Sequence, residues 1–380
     1  MFAALPKILG LSFFVVGASL LPPAVVSVLY ADGHLHRYLA MAVIALLLGA
    51  AAMFLGRADT RPMRTREGFM IVTLAWFATS ALGAVPFVVI GQLDPAAALF
   101  ESASGFTTTG STAIADLTKY PLSLLFFRQE IQWLGGIGVV VAAIALLPML
   151  GIGGMQLMKA ETTGPAKSDK LRPRIKHTAQ ALWRIYLLLT VSCALGYWFA
   201  GMSVFDAIAH SLTTVSTGGF SVYNDSLGHF QSPAIEAVAV IFMLLGAINF
   251  TVHYRAWADR SWSMYLSNSE VRVFILTVAV VVACVAYVLS NEADIDAAAA
   301  VRLSVFEVVS VITSTGFGID DFSVWPTLLP VFLIFTSFIG GCAGSTAGGM
   351  KVIRFLVLTR QAVIEVLRLI HPRLVRPLKL

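Results

Sequence analysis

Three polar stretches of this sequence combine threonine, serine and glycine in a pattern suited to binding a dehydrated cation. They are residues 101–112, 210–221 and 307–318. Aligned without gaps on their first residues, all three place a glycine nine positions further on. The aligned pairs are Glu101 with Gly110, His210 with Gly219, and Glu307 with Gly316. Backbone carbonyls and threonine hydroxyls can replace the water shell of an ion, so the pattern predicts three re-entrant pore loops.

The expected ion ligands are three residues in each stretch, ending at the aligned glycine. They are Thr108, Thr109, Gly110, Thr217, Gly218, Gly219, Ser314, Thr315 and Gly316. A single Ser-Thr-Gly sequence could equally be an ordinary turn. Its recurrence at one offset favours a selectivity filter, in which glycine supplies backbone angles closed to other residues.

A fourth unusual stretch, residues 340–351, directly follows an apolar segment. Its predicted gate residues are Gly340, Gly341, Cys342, Ala343, Gly344, Ser345, Thr346, Ala347, Gly348 and Gly349. Each glycine costs about 1 kcal/mol relative to alanine within a helix, so the preceding helix should break inside the membrane. The stretch lacks the Gly-Lys-Ser/Thr of a phosphate loop, and no short helix introduces it as a fourth filter loop. We expect an irregular gate below the filter.

The composition dictates the elements that must hold these loops. The chain has 380 residues, of which 58% are hydrophobic and 12% charged, with a mean hydropathy of +0.82. These values exclude a soluble globular protein and predict an all-α, multi-pass membrane protein. The candidate spans are residues 8–29, 38–55, 68–91, 122–150, 181–200, 234–250, 273–289 and 328–341.

Charge predicts how these spans are oriented. Lysine and arginine gather in alternate connectors and in the C-terminal segment, which the positive-inside rule assigns to the cytoplasm together with the N-terminus. The pore loops then open on the other side, where acidic residues predominate and concentrate cations. The excess of basic residues, which gives a pI of 9.2, is explained by this membrane topology. No nucleic-acid partner is therefore expected.

The chain divides into a hairpin and three helix–loop–helix repeats. The hairpin is residues 1–57, the repeats are 68–158, 177–256 and 270–370, and residues 371–380 form a cytoplasmic connector. Each pore loop should follow a short helix, at residues 94–102, 205–213 and 295–309, whose C-terminal dipole favours a cation.

The sequence leaves the roles of several single polar residues open. Arg128, Glu130 and Gln132 lie near the start of an apolar span, where they are functional candidates or sit at the outer interface or pair across helices. His210 could titrate, although a hydrogen-bonded role in its helix is favoured. We find no metal-ligand cluster and no nucleophile–base pair, so a transporter is favoured over an intramembrane enzyme, and no cofactor is expected.

Several motifs resemble the Trk/Ktr/HKT superfamily of potassium transporters, in particular the bacterial Trk membrane subunit. They are the three Thr/Ser-Gly stretches, residues 132–136, 148–154, 159–162 and 164–165, and the glycine-rich stretch at 340–351. The resemblance implies K⁺ as the transported ion, one pore per protomer of a homodimer, the bacterial inner membrane, and a cytosolic nucleotide-binding ring of the TrkA type. It leaves channel and symport mechanisms open, and Ala347 stands where the family usually has glycine.

The superfamily has four repeats around a pseudo-fourfold axis, whereas this sequence contains three. Its last residues, 371–380, resemble the connector that leads into a fourth repeat. The expectation from the sequence is therefore a C-terminally truncated member, with a non-conducting fragment as the alternative function.

Overall fold

The computed structural model describes residues 5–55, 65–146, 168–293 and 295–371. Within these ranges the regular secondary structure is α-helical, apart from three short 3₁₀ turns, which confirms the predicted fold class. The helices are α1 (Leu5–Ser19), α2 (Leu21–Leu29), α3 (Leu35–Leu55), α4 (Thr65–Val89), α5 (Pro95–Phe106), α6 (Leu122–Leu146), α7 (Ser168–Phe199), α8 (Val204–Val215), α9 (Pro233–Ala247), α10 (Phe250–Ala258), α11 (Ser263–Ser267), α12 (Ser269–Glu292), α13 (Ala297–Ile312), α14 (Leu329–Ser337) and α15 (Val352–Ile370). The motifs at residues 148–154, 159–162 and 164–165, and most of the predicted connector, lie outside the described residues.

The described part of the chain has five helical spans long and apolar enough to cross a membrane, or six if α9 and α10 form one bent span. The first predicted span is two helices, because Leu20 separates α1 from α2 and prolines follow in the first turn of α2. The predicted span at 234–250 is also broken. The axis turns by 95° between α9 and α10, and the Asn249 side chain caps α10 by accepting a hydrogen bond from Thr251 N at 2.8 Å.

Three short helices, α5, α8 and α13, lead into the polar loops. Each begins at a capping side chain, Asp94, Ser203 or Asp296, which accepts a hydrogen bond from a backbone N–H of the first turn. All three end later than the sequence predicted. Thr107 and Thr313, the residues that directly follow α5 and α13, each donate a hydroxyl hydrogen bond to the carbonyl four residues earlier, at 2.7 Å.

Two apolar cores carry these elements. The smaller core joins α1–α6 around Tyr38, Phe87 and Phe127, which are fully buried. The larger core runs from α6 to α15 and includes Tyr197, Phe274 and Phe306. The polar loops lie between the short helices and these cores.

Candidate ion pathway

The three polar loops share an unusual backbone conformation. We define the first loop as residues 107–112, the second as 216–221 and the third as 313–318. In each, two aligned residues have positive φ angles. These are Thr108 (55°) with Gly110 (79°), Thr217 (51°) with Gly219 (79°), and Ser314 (58°) with Gly316 (81°). The glycine conformation follows the prediction, whereas the left-handed threonines and serine carried no signal in the sequence.

The same hydrogen bonds close all three loops. A hydroxyl at the end of each short helix donates to a carbonyl seven residues later. The pairs are Ser104 with Ser111 (2.6 Å), Thr213 with Phe220 (2.9 Å), and Ser310 with Phe317 (2.6 Å). Backbone bonds of 2.9 Å from Thr109, Gly218 and Thr315 to the same three helix-end residues repeat as well. The loops are therefore three copies of one structure.

The three stretches were aligned on Glu101, His210 and Glu307. Each of these side chains forms hydrogen bonds with residues at or just after the end of its loop. Glu101 accepts hydrogen bonds from Thr112 Oγ1 at 3.0 Å and Ala113 N at 2.9 Å. Glu307 accepts one from Ile319 N at 2.8 Å. His210 Nδ1 donates to the Asp206 carbonyl at 2.9 Å, so its Nε2 accepts from Ser221 Oγ at 3.0 Å. A buried histidine thus replaces the carboxylate in the second repeat.

The loops abut one another in chain order. A Cβ atom added to Gly110 would collide with the carbonyl oxygen of Gly218, and one added to Gly219 would collide with that of Thr315. A Cβ on Gly316 would have no neighbour within 4 Å among the described residues. The second loop is consequently enclosed between the first and the third, and Thr217 is fully buried.

Gln132, one of the three polar residues singled out on α6, fastens the second loop. Its Nε2 donates to the Gly218 carbonyl at 2.8 Å, and its Oε1 accepts from Phe220 N at 3.0 Å. The amide is fully buried. The sequence left Gln132 open as a functional candidate, an outer-interface residue or a member of a pair across helices; in the structure its amide contacts the second loop.

Arg128 lies one turn earlier on the same face of α6 and makes three contacts. Its guanidinium pairs with Glu101 on α5, donates to the Ser221 carbonyl at 2.9 Å, and lies 3.6 Å from the centre of the Phe220 ring. An ion pair within the first repeat thus holds Arg128, and the Arg128 guanidinium in turn contacts the second loop. Glu130 is also buried, but its Oε2 has no hydrogen-bond partner within the described structure.

The segments that follow the first and second loops are joined beside an acidic residue. Asn224 accepts from Leu117 N at 2.8 Å and donates to Asp116 at 3.1 Å. The hydroxyl of Thr118 and then this amide hold the pKa of Asp116 at about 2. Asp116 is therefore ionised at any physiological pH, as the predicted acidic outer mouth requires.

The glycine-rich loop, residues 340–351, is irregular as expected, and it fits into the break between α9 and α10. Cys342 N donates to the Ala247 carbonyl at 2.8 Å, and Phe250 N donates to the Gly344 carbonyl at 3.0 Å. Thr346 Oγ1 lies 3.0 Å from the carbonyls of both Val215 and Gly246. The broken helix α9–α10, which the sequence did not reveal, thus leaves carbonyls free for this loop.

The glycine-rich loop also meets the polar loops directly. Thr217 Oγ1 lies 3.3 Å from Thr346 Oγ1, and a Cβ on Gly348 would lie 3.0 Å from Ser314 Oγ. On its other side, the buried carboxylate of Glu270 accepts a hydrogen bond from Ala343 N at 2.6 Å. Lys351, whose φ is 72°, donates to the Ala347 carbonyl. Glu270 was not among the predicted site residues, and Lys351 ends the predicted gate stretch without having been named as a gate residue.

Comparison with known proteins adds independent information. The family model described as "TrkH: Cation transport protein" matches residues 34–380. A Trk system potassium uptake protein TrkH from Halomonas elongata is 43% identical over 98% of this chain and 78% of its own length. The protein of the same name from Escherichia coli K12 is 42% identical over 100% of this chain and 79% of its own length.

A solved structure agrees with these sequence matches. The crystal structure of the potassium transporter TrkH from Vibrio parahaemolyticus has a TM-score of 0.91 and 41% identity, covering 100% of this chain and 79% of that one. These relatives are named as transporters, in line with the expectation of a transporter rather than an enzyme. They give no support to the alternative expectation of a non-conducting fragment. This chain belongs to the TrkH family of cation transport proteins.

Proposed function

We propose that this protein takes up K⁺ through a channel-like pore whose selectivity filter is built from the three polar loops. The observation that carries the proposal is the repetition of one strained backbone conformation in three loops that abut one another. Left-handed threonine and serine cost about 1–3 kcal/mol each and persist only where the surrounding structure imposes them. A strained, repeated and mutually packed backbone supports a coordination site better than it supports three ordinary turns.

The filter comprises the nine residues expected from the sequence, namely Thr108, Thr109, Gly110, Thr217, Gly218, Gly219, Ser314, Thr315 and Gly316. Close contact between a glycine of one loop and a carbonyl of the next gathers carbonyl oxygens in one region, where they can replace the hydration shell of K⁺. The Gly218 carbonyl also accepts a hydrogen bond from Gln132, so this oxygen is shared between the ion and the amide.

The gate is the glycine-rich loop, which includes Gly340 to Gly349. Its contacts with Thr217 and with Ser314 support a position next to the filter. Its attachment through a few hydrogen bonds supports a mobile obstruction, because each such bond contributes only about 1 kcal/mol net. Movement of this loop away from the α9–α10 break would open the pathway.

The assembly and location follow from the family. The relatives are named as parts of a Trk system, and the resemblance supports a homodimer regulated by a cytosolic nucleotide-binding ring of the TrkA type. The protein lies in the bacterial inner membrane with its N-terminus in the cytoplasm, an orientation supported by the basic connectors. Uptake serves the cell's K⁺ supply, and K⁺ is the transported ion.

The decisive experiment compares two glycine substitutions with equal backbone strain. Gly219 has φ of +79° and faces the Thr315 carbonyl, whereas Gly33, in the loop after α2, has φ of +78° and nothing within 4 Å. In a strain deficient in K⁺ uptake, Gly219→Ala should abolish growth on low K⁺. Gly33→Ala should leave growth close to that of the parent. Equal growth of the two variants would contradict a filter at Gly219.

A second experiment tests selectivity for K⁺ at the first loop. By resemblance, superfamily members with serine at the first filter glycine tend to pass Na⁺. Gly110→Ser should therefore lower the ratio of K⁺ to Na⁺ flux in vesicles containing the purified protein. An unchanged ratio would remove Gly110 from the proposed filter.

A further inference from the structure

A half-enclosed apolar groove of about 470 Å³ lies on the outside of the helix bundle, and its described lining contains no residue of the polar loops. One wall is the side of α7 that carries Ile185 and Leu188, and the other is formed by α10, α11 and the turn between them. Leu188 is half exposed and lies within a membrane span. The groove therefore opens toward lipid.

Large aromatic side chains border this groove at one end. Trp257 is 60% exposed and Trp262 is 80% exposed, and the Trp262 ring stacks on Tyr265. Tryptophan and tyrosine gather at the boundary between lipid headgroups and hydrocarbon. By the charge-based orientation proposed above, α10 and α11 lie at the cytoplasmic boundary, so the groove faces the inner leaflet.

The same end of the groove carries a positive charge. Arg260 belongs to the lining, and no carboxylate does so among the described residues; the nearest in sequence, Asp259, is exposed outside it. His253 is engaged on both ring nitrogens, by Tyr265 Oη at 2.8 Å and the Leu245 carbonyl at 2.9 Å. The Arg260 guanidinium is thus the cationic group available to a ligand that enters this groove.

We propose that this groove binds an anionic phospholipid of the inner leaflet. One acyl chain lies between Leu188 and Trp257, and the headgroup phosphate contacts Arg260. The pairing of apolar walls with a guanidinium at the membrane boundary selects a molecule that has a hydrocarbon chain and a negative end. Neither a purely apolar partner nor a soluble phosphate would use both features.

A second groove on the same molecule provides an internal contrast. It has a volume of about 540 Å³ and lies between α2 and α8, where it is lined by Val25, Tyr30 and Phe205 among others. Its described lining contains no charged residue. Hydrocarbon can fill this groove regardless of headgroup, so selectivity for anionic lipid is expected only where Arg260 is present.

The test uses the whole protein in detergent and two phospholipids with brominated chains, phosphatidylglycerol and phosphatidylcholine. Bromine quenches nearby tryptophan fluorescence. We expect a saturable component of quenching with phosphatidylglycerol only, and its loss in Trp257→Phe. Arg260→Gln should weaken this component about fivefold, the loss expected for one basic residue near an anionic lipid. Arg255→Gln, an exposed arginine on α10 outside the lining, is the matched control.

Three results would overturn the proposal. They are equal quenching by both lipids, no effect of Arg260→Gln, and an equal effect of Arg255→Gln. If a second copy of the chain or a regulatory protein covers the groove, lipid will quench the tryptophan fluorescence only after that partner has been removed. Light scattering will detect the removal of the partner. Size-exclusion profiles identify variants that fail to fold. Because the readout is lipid binding, its failure leaves the proposed K⁺ uptake untouched.

Discussion

The second polar loop and the glycine-rich loop are two irregular segments of the described structure, and they touch at Thr217 and Thr346. They are held in different ways. The second loop is fixed by long side chains of another repeat, Gln132 and Arg128. The glycine-rich loop is held largely by backbone groups at the α9–α10 break.

This difference fits the two tasks proposed for these loops, selection of an ion by the second loop and gating by the glycine-rich loop. Buried side-chain amides and ion pairs are costly to separate, so they suit a loop that must keep one geometry to select an ion. Backbone hydrogen bonds on a glycine-rich chain can be exchanged for others at little cost, because glycine allows many conformations. The comparison predicts that substitutions around the second loop will abolish uptake or selectivity, whereas substitutions around the glycine-rich loop will change the rate.

The largest expected effect is at Arg128. Arg128→Met leaves the buried carboxylate of Glu101 without its partner, which costs about 3–5 kcal/mol. We expect a large fall in the thermal stability of the purified protein and loss of K⁺ uptake. The double variant Glu101→Gln with Arg128→Met should recover part of the stability, because no unpaired charge remains.

A second ion pair of this protein provides the control. Arg368 of α15 pairs with Glu365 of the same helix at 2.9 Å, and the two side chains are 44% and 53% exposed. Exposed pairs contribute at most about 1 kcal/mol, so Arg368→Met should have a small effect. If Arg368→Met destabilised the protein as much as Arg128→Met, burial of the Arg128–Glu101 pair would not explain its importance.

The next largest effect is expected at Gln132. Gln132→Met removes both hydrogen bonds to the second loop and leaves a buried carbonyl and N–H unpaired, at about 1–3 kcal/mol each. We expect reduced discrimination between K⁺ and Na⁺ in flux measurements. Gln129 is equally buried on the same helix. With its amide assigned in the orientation that satisfies both groups, it donates to the Ala209 carbonyl and accepts from Val222 N, at 3.1 Å each. Gln129→Met should therefore lower stability without changing selectivity, and a matching loss of selectivity would argue against a specific role for Gln132.

The sequence predicted the fold class and the repeated loops because their signals are local. Apolar runs and an ungapped alignment of Thr-Gly motifs require no knowledge of contacts. It missed the roles of Gln132, Arg128 and Glu270, since their partners lie 86, 93 and 73 residues away. It also missed the bend between α9 and α10, because residues 247–250 carry neither proline nor glycine; a capping asparagine and bonds from the glycine-rich loop stabilise the break there.

A smaller effect of opposite sign is expected at Glu270. Its carboxylate accepts a hydrogen bond from Ala343 N, and bonds to charged groups contribute about 1.5–3 kcal/mol. Glu270→Leu should release the glycine-rich loop and raise the K⁺ uptake rate by about tenfold, since 1.4 kcal/mol corresponds to a factor of ten. The ratio of K⁺ to Na⁺ flux should stay the same. Slower uptake with intact protein levels would show that Glu270 supports the open pathway rather than the closed one.

The smallest effect concerns the point where the two loops meet. Thr346→Val keeps the shape of the side chain but loses the hydroxyl that lies near Val215, Gly246 and Thr217, a change of about 1 kcal/mol. Uptake should rise no more than about fivefold, and Thr346→Ser should behave like the parent.

Combining Thr346→Val with Thr217→Val tests whether the proposed filter and the proposed gate are coupled. Contacting residues usually show interaction energies of at least about 0.5 kcal/mol, so uptake in the double variant should depart from the product of the single effects. Strict additivity would mean that the glycine-rich loop moves without influencing the filter.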